Sequence, residues 1–151
     1  MLKKIFFTIL LLNLLNHCEY KPIYSNQNKI NYKIIVTSFN GDKEINNLIA
    51  STIKRNNNQS SNKTLNISFD TRYTKNILAK NAAGTITDYQ ANVITEFNIQ
   101  REDSSENFSI NEKFNFKKMT DKYEEKNYER TIKKNLADSI SQKLILRLTV
   151  N

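Results

Sequence analysis

Tyr89-Gln90-Ala91-Asn92-Val93-Ile94-Thr95-Glu96-Phe97-Asn98-Ile99 holds the longest alternation in the chain. Tyr89, Ala91, Val93, Thr95, Phe97 and Ile99 recur every second residue, and mostly polar side chains stand between them. Successive side chains of a strand point to opposite faces, so this pattern predicts a strand with one face in a core and one in water. The fold then depends on what covers that single apolar face.

Downstream, Arg101 to Glu106 reads as a charged turn. Phe108, Ile110, Phe114 and Phe116 keep the two-residue period on the way back, which predicts a long antiparallel hairpin. Asp121 with Glu124 three residues on has the form of a capping box, and a long helix should follow. Its stripe is Tyr128, Ile132, Leu136, Ile140 and Leu144, each four residues from the last.

Upstream, Leu65, Ile67, Phe69, Thr71 and Tyr73 predict another strand, and Asn76 to Gly84 reads as the connection. Asn56 to Asn62 is a polar loop. Ile45, Leu48, Ile49 and Ile53 fall at helical spacing up to about Arg55, after a stop and N-cap at Asn40-Gly41-Asp42. Tyr32, Ile34 and Val36 alternate within a first strand from about Asn31 to Phe39. The order is β-α-β-β-β-α. One four-stranded sheet with both helices on one face satisfies every apolar stripe, so residues 30–151 should form a single α/β (α+β) two-layer sandwich.

The N-terminus has a different character. Lys3 and Lys4 precede an apolar run from Ile5 to Leu15, broken only by Thr8 and Asn13. About a dozen apolar residues are too few to span a bilayer, which needs ~20, but they match the apolar region of an export signal. Residues 1–17 therefore read as a signal peptide, and residues 18–29 as a lipidated Cys18 followed by an extended tether that Pro22 keeps out of helix. Leu15 suits the first position of a lipobox, whereas Asn16 and His17 stand where small residues are usual. Each buried CH2 of an acyl chain contributes ~0.8 kcal/mol, so two or three chains on Cys18 would anchor the domain firmly. Glu19 follows, not the Asp that retains lipoproteins in the inner membrane of enteric bacteria, which leans toward the outer membrane.

Composition narrows the chemistry. The chain has 151 residues with one Cys and one His, namely Cys18 and His17. A cut between them leaves no His and a single Cys at the new N-terminus, which removes Cys/His zinc sites, Ser/His/Asp triads and Cys/His dyads. Asp70, Asp88 and Glu96 are the carboxylates in strand-like segments, and nothing in the sequence pairs them, so no enzyme and no cofactor are expected. The formal net charge of +8, two units of it from Lys3 and Lys4, suits nucleic acid, anionic lipid or an acidic partner alike.

Cys18-Glu19-Tyr20-Lys21-Pro22-Ile23-Tyr24 resembles the Cys-Gly-Phe-X-Pro-Leu-Tyr start of the lipopolysaccharide-assembly lipoprotein family (LptE-like), with Glu19 departing from the Gly. Tyr128-Glu129-Arg130, Leu136-Ala137-Asp138, Ile140 and Leu144 are similar to that family's closing helix. The resemblance implies a lipid-anchored protein on the periplasmic side of the outer membrane. Such a protein plugs and helps assemble an outer-membrane β-barrel lipopolysaccharide-assembly protein (LptD-like) and contacts lipopolysaccharide. That ligand carries phosphates and acidic sugars, so cations on one rim would bind it. Arg72, Lys75 and Lys80, around the end of the second strand, are the candidates, with Lys117 and Lys118 at the far end of the hairpin. Two other readings stand beside this one: an exported basic domain with another ligand, and a nucleic-acid-binding domain whose strand aromatics stack bases. The export signal argues against nucleic acid.

Overall fold

The computed structural model describes residues 30–150, and the expected signal peptide, Cys18 and the expected tether lie outside them. The chain runs β1 (Lys33–Gly41), α1 (Lys43–Arg55), β2 (Thr64–Lys80), β3 (Ile86–Gln100), β4 (Ser105–Lys117) and α2 (Lys122–Val150). The expected element order and fold class are both observed. The sheet order is β1-β2-β3-β4, with β1 parallel to β2 and the other pairs antiparallel. The parallel pair needs a crossover, which α1 supplies.

The turn from β1 into α1 has a tight geometry. Gly41 has φ +91, and a Cβ there would fall on the Thr71 carbonyl oxygen, so only glycine fits. The next residue, Asp42, donates its backbone N–H to that same Thr71 oxygen at 2.9 Å. Its carboxylate caps α1 by accepting from the N–H groups of Glu44 and Ile45, both at 3.1 Å. Asp121 caps α2 in the same way, accepting from Tyr123 and Glu124.

Most of both apolar stripes is buried; Leu48 is covered in part, and Tyr128, the first residue of the second stripe, is 37% exposed at the rim beside Phe116. Ile45, Ile49 and Ile53 of α1 and Ile132, Leu136, Ile140 and Leu144 of α2 join Ile34, Leu65, Ile67, Phe69, Val93, Phe97 and Ile99 of the sheet in one core. Across that core runs an aromatic row with one ring from each strand. Phe39, Phe69, Phe97 and Phe108 are register partners in turn, with centroids 5.5, 5.6 and 5.4 Å apart. Such offset pairs add about 0.5–1.5 kcal/mol each beyond their burial. A register shift between Val36 and Ser38 makes the row possible. Strict alternation from Ile34 and Val36 would turn Ser38 inward, and the extra residue turns Phe39 inward instead.

Two connections differ from the sequence reading. Asn76 to Lys80 is strand, not connection, and the turn shrinks to residues 81–85. Asn81 organises it, its side-chain oxygen accepting from the N–H groups of Ala83 and Thr85. Gly84 sits there at φ +77. Alternation is a sign of one-sided burial, and these last rungs of the β2–β3 hairpin are exposed on both sides: Ile77 is 52% and Leu78 48% exposed. Backbone pairing continues where the side-chain pattern stops. In the same way, Glu106 belongs to β4 and not to the preceding turn.

Candidate functional site

The five candidate cations do not form one rim. Inward positions of β2 run Leu65, Ile67, Phe69, Thr71, Tyr73 and then Lys75, so Lys75 faces the helices. Its ammonium pairs with Glu125 at 2.8 Å and Glu129 at 3.0 Å, and lies 4.3 Å from the centroid of the Tyr89 ring. Burial works against the charge, but the hydrogen bonds to both glutamates outweigh it and hold the Lys75 pKa above its ordinary value. Lys75 is thus engaged within the fold, as its two-residue register from Tyr73 already implies.

The contact extends along the seam. Tyr73 donates its hydroxyl to Glu129 at 2.8 Å, and burial together with that carboxylate pushes the phenol pKa far up. Lys133 lies 4.4 Å from the Tyr73 ring centroid and pairs with Asp42 at 2.7 Å. Burial opposes the Asp42 charge, yet the Lys133 and backbone hydrogen bonds leave its pKa lowered. The hydrogen bond from Lys75 lowers Glu125, which also accepts from the Met119 N–H at 3.0 Å. One run of polar contacts therefore ties the α1 cap and the first turns of α2 to β2.

The other four cations are exposed. Arg72 lies on the opposite, uncovered face of the sheet, beside Ile94 in register. Lys80 ends β2, Lys117 ends β4 opposite Asp88, and Lys118 follows, its N–H bonded to the Thr87 carbonyl at 2.8 Å. Those three share the hairpin end of the sheet. There, Ile77 and Leu78 add uncovered apolar side chains, and Asp88, Asn115, Phe116, Lys117, Met119 and Tyr128 line a shallow hollow of about 480 Å3. Cations and apolar side chains at one end fit an amphiphile with an anionic head. The sequence reading found the cations and missed Ile77 and Leu78, which it assigned to a loop.

Register also joins two carboxylates that looked isolated. Asp70 of β2 stands opposite Glu96 of β3 on the uncovered face. Both line a depression of about 500 Å3 with Ser38, Asn40, Asn98 and Asn107. Like charges placed directly opposite are destabilising. Amide pairs knit the rest of that surface, Gln90 to Asn115 at 2.9 Å and Asn98 to Asn107 at 2.6 Å. The rings that a base-stacking platform would expose are largely covered, with Phe69, Phe97 and Phe116 all buried.

No known protein family matches the chain by sequence, and no curated protein does. Solved structures do. Rare lipoprotein B from Shewanella oneidensis is similar with a TM-score of 0.54 at 15% identity, over 73% of this chain and 93% of that one. A minor lipoprotein from Acinetobacter baumannii gives a TM-score of 0.52 at 11% identity, over 77% and 94%. At such identities the likeness concerns backbone architecture: this chain has a fold that bacterial lipoproteins use.

Proposed function

We propose that the protein is a non-enzymatic lipoprotein, acylated at Cys18 and held on the periplasmic side of the outer membrane. There it plugs and helps assemble a β-barrel lipopolysaccharide-assembly protein and contacts lipopolysaccharide. The observation that carries this reading is the shared fold with two bacterial lipoproteins across nearly all of their length. The Cys18-to-Tyr24 segment supports it independently. The hairpin end supports the ligand: Lys80, Lys117 and Lys118 would meet phosphates, while Ile77 and Leu78 would meet acyl chains. A polar domain surface also suits the polar lumen of a large barrel.

The test is tagged purification from detergent-solubilised membranes of the native cell, with mass spectrometry of what co-elutes. The expected result is one outer-membrane β-barrel protein in near-equal amount, and diacylglycerol on Cys18. Elution alone and without lipid would leave an exported basic domain with a different ligand.

A further inference from the structure

The outward side of α2 carries a basic row whose only acidic neighbour in a shared hollow, among the described residues, is Glu44 of α1, beside Arg130 and Lys134. Lys122, Lys126, Arg130 and Lys134 recur every four residues, so they stack along one side of the helix over about 18 Å. All four are exposed, and among the described residues none of them joins an ion pair. Other cations of the same helix behave differently. Lys133 pairs with Asp42, Lys143 with Glu112 and Arg147 with Glu106. Glu125 and Glu129, which could neutralise the row, turn to the sheet and hold Lys75. Like charges four residues apart weaken a helix, so the row costs stability.

Tyr123 belongs to the same side, three residues before Lys126 and seven before Arg130, and is 74% exposed. An exposed aromatic ring beside a line of cations on a helix has the composition of a membrane-interface face. The cations reach phosphates, and the amphipathic ring settles at headgroup depth. An acidic protein segment would satisfy the charges but gives the Tyr123 ring no reason to be bare.

We propose that this face of α2 docks on an anionic phospholipid bilayer, with Lys122, Lys126, Arg130 and Lys134 against the headgroup phosphates and Tyr123 between the headgroups. The proposal goes beyond the barrel-plug reading and requires that this face of α2 stay outside the barrel lumen. It concerns how the domain lies on the membrane, not what it plugs.

The chain contains no Trp, so Tyr123→Trp in the full-length protein places a single fluorescent reporter on this face. Vesicles of phosphatidylcholine with phosphatidylglycerol should shift its emission to the blue in a salt-sensitive way, and vesicles of phosphatidylcholine alone should not. That comparison separates docking of this face from any insertion of the apolar N-terminal segment. In the reporter background, Lys126→Gln, Arg130→Gln and Lys134→Gln together should weaken the anionic-vesicle interaction on the order of a hundredfold, at about fivefold per cation. A matched triple away from this helix, Lys33→Gln, Lys63→Gln and Lys113→Gln, should weaken it far less. No blue shift on anionic vesicles, an equal shift on neutral ones, or equal losses in both triples would overturn the proposal.

Discussion

The two ends of α2 meet the sheet through different chemistry. From Ile132 to Leu144 the stripe that meets the sheet is apolar, every member 5% exposed or less, with the Lys143–Glu112 ion pair at its flank. One to two turns earlier the contact is ionic. Glu125 and Glu129 reach down to Lys75 and Tyr73, and the rings of Tyr89 and Phe116 lie within 5.3 Å of the same ammonium. The apolar end follows from area removed from water, worth about 1.5–3 kcal/mol per fully buried aliphatic or Phe side chain. The ionic end exists because the sheet offers Lys75 and Tyr73 at inward positions, and their polar atoms need partners once covered. Its side chains keep 16–24% exposure, so solvent screens the pairs and their net contribution is modest. The first end supplies stability, and the second fixes where the helix starts and which residues it turns toward the sheet.

This contrast can be broken at several points. Phe97→Ala removes the central ring of the aromatic row and should cost about 3–5 kcal/mol in denaturant unfolding. Leu136→Ala should cost about 2–5 kcal/mol. A loss under about half a kcal/mol there, the range of surface sites, would mean that the apolar end does not carry the helix. Glu129→Ala leaves the Tyr73 hydroxyl without its acceptor and Lys75 with one partner, and should cost about 1–2 kcal/mol. A cost equal to that of Phe97→Ala would erase the distinction.

Acid sharpens the comparison further, because a substitution at Glu125 isolates the ionic end from the other lowered carboxylates, Asp42 and Glu106. The Lys75 hydrogen bond holds Glu125 below the ordinary carboxylate value of 4.5, and the folded state therefore binds its proton less readily than the unfolded chain. The resulting stability is complete above that pH and is lost as pH falls through the lowered value. A thermal-unfolding series should show wild type losing up to about 1 kcal/mol more than Glu125→Gln across that window. Glu106, lowered by Arg147 at the far end of the helix, adds a loss of the same sign in both proteins. The smallest effect is expected at the hairpin end, where Lys118→Ala should change stability by less than about half a kcal/mol.

Much of this architecture is legible in the residues. Period two from Tyr89 to Ile99 and four-residue steps from Ile132 to Leu144 define faces before any tertiary contact is known. The capping residues Asp42 and Asp121 are equally plain, because short polar side chains bond the free N–H groups of a helix start locally. The site was legible in part. Lys80, Lys117 and Lys118 do come to one end of the sheet, but the apolar side chains beside them lie in strand rungs that no helix covers, where alternation disappears. Lys75 was readable as inward by counting on from Tyr73; its partners, fifty residues away, were not.

Sequence alone thus determined which faces are apolar, where helices begin, and that Cys/His chemistry is confined to His17 and Cys18. Those are local or compositional properties, set by spacing and side-chain type. Tertiary structure decided that one extra residue in β1 carries Phe39 into the aromatic row, that Lys75 is consumed by Glu125 and Glu129, and that Asp70 stands against Glu96. Each of these depends on register between segments distant in the chain. A one-residue slip exchanges inward for outward side chains along a whole strand, and only the packed sheet removes that freedom.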